Sequence, residues 1–358
     1  MQRILMLALV SASVWAQSAD APIPPTPVLN QEQVQLLEAK VAQDPADLAS
    51  QAILGRNYAF FILGVTAVDQ YGDARGFDPA KARGAFARHA RNELMNTRFA
   101  GVCGEAGQAL WHSSFEAERY QSLHQTGERG RVKEARSFGV QVLDRAIALE
   151  PGTPLWRSYR IPILHFRATS LSYRVPIAYY GVPILHYRTT FSGVMPLTRA
   201  EAYRQIKEDM TLLTGALREE HLATAAKAAL NASALEDARA YAQEMLAAAQ
   251  DTEKWIYGDH VFFGNMVLGQ VALRNGDIES AKTFLLASGK TPGSPVLGSF
   301  GPNMSLAKEL LDARETDTVL KFFDQCEAFW TRHGGRLYEW AATAKRGEVP
   351  DFGANMTY

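Results

Sequence analysis

At 358 residues, 47% of them hydrophobic and 21% charged, the chain has room for two ordinary domains or one extended repeat array. Its formal net charge of −1 excludes a bulk attraction for nucleic acid or acidic lipid, so an electrostatic partner has to be recruited locally.

The chain opens with Arg3, a short apolar run from Ile4 to Val10, and Val14-Trp15-Ala16. This reads as an export signal over residues 1–16, cleaved to leave Gln17 at the new N-terminus. The apolar run is too short to span a bilayer, and no cysteine follows the site to carry a lipid. The expectation is an exported protein, periplasmic or secreted, with no transmembrane segment after processing. Cys103 and Cys326 are the only cysteines; sequence alone cannot bring them within bonding distance, and the expectation is two unpaired thiols.

Residues 17–29 form a Pro-rich, extended linker. Residues 30–152 read as N-terminal helical repeats. Asn30 and Gln33 make a capping box, and Asp44-Pro45 ends that helix. There follow a helix over the aromatic-rich run "ASQAILGRNYAFFILGVTAV", one capped by Asp78 with Pro79 at its first position, one over "GEAGQALWHSSFEAERY", and one ending at "ALEPG".

Residues 153–197 read differently. Tyr159, Phe166, Tyr173, Tyr180 and Tyr187 recur every seventh position, Arg160, Arg167, Arg174 and Arg188 follow four of them, and no Asp or Glu occurs between Glu150 and Glu201. Pro162, Pro176 and Pro183 each remove a helical hydrogen bond at about 3 kcal/mol, so a non-helical basic aromatic insert is expected, with short extended pieces. Two roles stay open for it: a contact surface for an anionic or planar partner, or a tandem expansion tolerated between two helical halves.

Helical grammar resumes with a Thr198/Glu201 capping box, and residues 198–346 read as helices near 221–230, 235–249, 258–274, 277–288, 304–313, 316–332 and 335–346, before a tail over 347–358. Val319, Phe322, Phe323, Cys326, Phe329 and Trp330 make a core stripe.

Within "NMVLGQVALRNGDIESAKTFLLASGKTP", Gly269 is a small residue at a helix crossing, Asn275-Gly276-Asp277 is a capping turn, and Ala281 with Leu285 packs back. This stretch resembles a tetratricopeptide repeat, and Ala226, Ala229 and Ala238 repeat the pattern at a 43-residue interval. Asn265 stands where the family has a large aromatic, and the interval exceeds the usual ~34. The segment also resembles exported bacterial repeat proteins, a resemblance that implies architecture and no chemistry. The implied fold is all-α, a tetratricopeptide-like array of helical hairpins (an α-solenoid) interrupted by the insert.

No catalytic signature accompanies this. His89 with Glu93, His112 with Glu116, and Asp259-His260 offer two ligands each where zinc needs three or four. "SGKTPGSP" lacks the first glycine of a phosphate loop, and there is no GxSxG or Cys-x-x-Cys. The expected function is a non-catalytic protein- or peptide-binding scaffold in the cell envelope, with no cofactor, no metal and no nucleic-acid partner. Its candidate binding residues are Phe263, Gln270 and Arg274 on the first helix of a hairpin, and Arg160, Arg167, Arg174 and Arg188 in the insert. The alternative is a periplasmic helical enzyme or transport accessory subunit with a small-molecule pocket between the halves.

Overall fold

The computed structural model describes residues 26–69, 73–124, 128–169, 174–175, 187–188, 196–250 and 256–356. The expected signal, its expected cleavage site and most of the Pro-rich stretch lie outside them. These residues are mostly helical, as expected, and fall into two compact units. The first runs to Ile163; the second comprises the end of the helix at Leu164–Thr169 and the chain from Leu197.

In the first unit the linker's last residues are docked, not extended into solvent. Thr26 is buried and takes a 3.0 Å bond from Arg56, while Asn57 accepts from the Leu29 amide at 2.8 Å and donates to the Pro27 carbonyl. Helix α1 (Gln31–Gln43) carries both bonds of the Asn30/Gln33 capping box. Helix α2 (Leu48–Leu63) stops at Gly64, whose φ of 74° suits a residue without Cβ. There the reading of one continuous helix is corrected. Val65, Thr66 and Val68 are β-branched, and β1 (Val65–Val68) pairs antiparallel with β2 (Ala74–Phe77).

Gly84 likewise divides the Asp78-capped helix into α3 (Pro79–Arg83) and α4 (Ala85–Asn96). Helices α5 (Ala100–His124) and α6 (Arg129–Leu149) pack on each other, and α2 packs on α5. Their apolar faces, including Tyr58, Leu94, Leu110 and Leu143, form the unit's core.

The non-helical reading of the insert fails over its first third. Helix α7 (Pro154–Thr169) runs through Pro162. Trp156, Ile161, Ile163 and Leu164 are all buried, and at about 1.5–3 kcal/mol each their burial outweighs a proline penalty of about 3 kcal/mol. Tyr159 and Phe166, seven apart, are thus two helical turns apart. Farther on, β3 (Arg174–Val175) pairs antiparallel with β4 (Tyr187–Arg188), and the rest of the array lies outside the described residues.

The second unit is built from α8 (Arg199–Met210), α9 (Gly215–Asn231), α10 (Leu235–Ala248), α11 (Tyr257–Arg274), α12 (Ile278–Ser288), α13 (Pro295–Phe300), α14 (Ser305–Asp312), α15 (Thr316–Cys326) and α16 (Arg336–Lys345). Each of α8 to α11 packs on the next, α12 packs on α14 and α15, and α15 on α16. The Thr198/Glu201 box caps α8, and Asp277 caps α12 through the Ser280 amide.

A Cβ on Gly269 would collide with Leu306 and stand 3.2 Å from Phe284 Cβ, so this glycine sets how closely α11 meets its neighbours. Ala281, Leu285, Ala226, Ala229 and Ala238 are fully buried beside these crossings, and the Val319–Trp330 stripe is core. Asn355 fastens the tail by donating to the carbonyls of Phe300 and Pro302 and accepting from the Met304 amide at 2.7 Å. Cys103 and Cys326 are both free and buried. No helix among the described residues is long and apolar enough to cross a membrane.

Candidate functional site

Helix α9 runs "TAAKAALNASAL" through its second half, where Ala225, Ala226, Ala228 and Ala229 are buried because small residues let neighbouring helices approach. Lys227 is the single charged residue between Glu220 and Glu236. Its ammonium lies over the ring of Phe263 on α11, 3.8 Å from the centroid. Phe263 in turn stands edge-on to Phe262 at 5.2 Å. Among the described residues the Lys227 ammonium has no hydrogen-bond or ion-pair partner. Burial draws it down to about 8, the charge of Asp259 opposing that fall.

Asp259 lies one helical turn before Phe263 and is 9% exposed. Burial raises its carboxyl, while a 2.7 Å bond from the Ser294 hydroxyl and the charge of Lys227 pull it back. Ser294 also accepts the Leu297 amide and so starts α13. Thr291 donates to the Gly258 carbonyl at 2.8 Å, and a Cβ on Gly258 would collide with the Gly293 carbonyl. The polar groups of "SGKTPGSP" therefore hold the first turn of α11 and position Asp259.

His165, in the last turn of α7, belongs to this second unit. Burial, helped by the charge of Lys227, pushes it down to about 4, so it is a neutral imidazole at neutral pH. His260 places Nε2 3.2 Å from the Glu219 carbonyl, and burial alone takes His221 on α9 to about 4. The site thus holds a cation on an aromatic face, a hydrogen-bonded carboxylate and neutral imidazole.

Of the binding residues expected from sequence, only Phe263 lies at this point, together with the Asp259-His260 pair that the sequence also singled out. Gln270 is buried and donates to Glu309 at 2.8 Å, and exposed Arg274 donates to the Leu230 carbonyl at 2.7 Å, covering the C-terminal end of α9. Both tie the hairpins together. Arg160 is 3.8 Å from Asp144 in the first unit. Arg167 is half-buried, with its carbonyl accepting from the Leu197 amide. Arg174 and Arg188 face each other in the register of the β3–β4 pair.

The histidine pairs take partners across elements instead of along their helices. His89 meets Glu38 at 2.9 Å, which also accepts from Tyr58, and His112 meets Asp73 at 3.4 Å. Among the described residues no three His, Cys, Asp or Glu side chains gather to hold a metal ion. A dent beside Phe77, Tyr120 and Val132 in the first unit has room for roughly one water. Asp259-His260 was visible in the sequence; Lys227 and His165 were missed. The available signal was a lysine inside an alanine stripe, where a buried face has no use for a charge. Compared with known proteins, the chain matches no family model, no curated protein and no solved structure.

Proposed function

We propose that the chain is a non-catalytic protein- or peptide-binding scaffold of tetratricopeptide-like hairpins, acting in the cell envelope after export, with the Lys227–Phe263 surface of α9 and α11 as its binding face. The hairpin reading is supported by the close crossing at Gly269 against α12 and α14 and by the Asp277-capped turn before α12. The binding face is supported by one observation above all. A half-buried lysine stands on an aromatic ring with no anion bonded to it among the described residues, an arrangement that costs stability until a partner supplies one.

The test is a photo-crosslinking residue placed at Thr224, one turn before Lys227, and separately at exposed Gln243 on α10. A discrete crosslinked partner is expected from Thr224 and not from Gln243. Equal crosslinking from both, or none from either, contradicts the assignment. A second reading, a helical enzyme, is favoured by the same lysine, since a lowered amine pKa suits a base or nucleophile. It requires turnover that Lys227→Met abolishes.

A further inference from the structure

Resting on that binding reading, we propose that the Lys227 site takes a singly charged carboxylate and rejects doubly charged oxyanions such as sulfate. The ligand's oxygen would bond the ammonium from the side away from the buried Phe263 ring.

Charges around this point are few among the described residues. Lys227 is the one lysine or arginine of α9 between Glu220 and the helix end, and among the described residues its ammonium meets an aromatic face and is bonded to no anion. From α7 the nearest titratable group is His165, neutral at neutral pH and thus adding no second positive charge. From α11 come Asp259, whose charge is felt at Lys227, and His260, directed at the Glu219 carbonyl. From the loop before α13 comes Ser294, whose hydroxyl is spent on Asp259.

A monoanion neutralises the lysine and leaves Asp259 uncompensated. A dianion would place a second negative charge beside Asp259 with nothing to oppose it, and in a partly desolvated site that repulsion decides selectivity. Phosphate sites solve the problem with forked guanidinium groups or several backbone amides, and neither is present among the groups named here.

The experiment uses the full chain with lysines dimethylated by ¹³C-formaldehyde, a modification that keeps the charge. The Lys227 signal is assigned by its loss in Lys227→Met and followed in titrations with acetate, sulfate, an acetylated tripeptide with a free C-terminus, and its amide carrying an internal glutamate. Acetate and at least one peptide should shift that signal saturably, and sulfate should bind about tenfold more weakly. Asp259→Asn, which keeps the Ser294 bond, should erase the discrimination. The two peptides distinguish a terminal from a side-chain carboxylate as the source. No saturable shift with acetate or with either peptide overturns the proposal, as does sulfate binding as tightly as acetate to the unaltered protein. If Thr224 still crosslinks a partner in that case, the scaffold reading survives and only the carboxylate fails.

Discussion

Two lysines sit on phenylalanine rings, one in each unit, and they are used differently. In the first unit Lys81 lies 4.3 Å from the Phe61 centroid and also donates to the Val65 carbonyl at 2.7 Å, stapling α3 to the start of β1. In the second unit Lys227 lies closer to its ring, at 3.8 Å, and has no such acceptor among the described residues. Burial lowers both amines. Elsewhere in the first unit Arg136 pairs with Glu118 at 2.6 Å and half-buried Arg56 with Glu105 at 2.8 Å, whereas Arg91 lies over the Phe138 ring and is lowered by burial as Lys227 is. A satisfied buried charge fixes a fold, whereas an unsatisfied one lowers stability and calls for a function that retains it.

The largest effect expected from this contrast comes from orphaning a matched cation. Glu118→Leu leaves Arg136, whose side chain is 5% exposed, without its anion, and should lower stability by about 3–5 kcal/mol in urea unfolding. A loss below about 1 kcal/mol would show that the pairing has no structural weight.

Acid should act next most strongly. His221 has a folded pKa near 4, below its ordinary 6.5, so the unfolded chain binds more protons between those values. The stability His221 contributes is complete above about pH 6.5 and is lost as pH falls through 4, by an amount on the order of 3 kcal/mol. His221→Phe should flatten that part of the pH–stability curve, measured by thermal melts at each pH. An unchanged curve would contradict the burial argument.

Lys227→Met carries the opposite sign. Between about 8 and 10.5 the unfolded chain binds more protons at this lysine than the folded chain, so native stability rises with pH across that window. At pH 7 the substitution should stabilise the protein by about 1–2 kcal/mol, a gain that shrinks as pH approaches 10. Lys81→Met should destabilise, because it removes the acceptor bond to Val65. Equal signs for the two lysines would break the comparison.

The smallest effect belongs to Gln270→Ala, which removes the bond to Glu309 and should cost about 1 kcal/mol, with no loss of acetate binding at Lys227. Lost binding would return Gln270 to the site.

What was legible in the sequence was what local chemistry decides. Asn30/Gln33, Thr198/Glu201 and Asp277 cap helices where their side chains predict it, since an N-cap needs only residues within one turn. The alanines at the α9–α12 crossings and the Val319–Trp330 stripe were legible from periodicity. The strand at Val65 was not, because "ILGVTAV" scores as an apolar helical run until Gly64 adopts a left-handed turn. Nor was α7, where tertiary burial of Trp156, Ile163 and Leu164 overrides what a proline dictates locally. The candidate site was legible only at Phe263 and Asp259-His260, because it joins α7, α9 and α11, and a lysine's lack of a partner is a property of three dimensions.

Central to this contrast is that Lys227, among the described residues, is a desolvated cation bonded to no anion. The direct test is the pH titration of the ¹³C-dimethyl signal of Lys227 in the ligand-free protein, repeated with saturating acetate. The predicted result is a midpoint near 8 that moves upward when acetate binds, since a neighbouring anion favours the charged amine. A midpoint at the ordinary 10.5, unmoved by acetate, would show an unstrained solvated lysine and contradict the account.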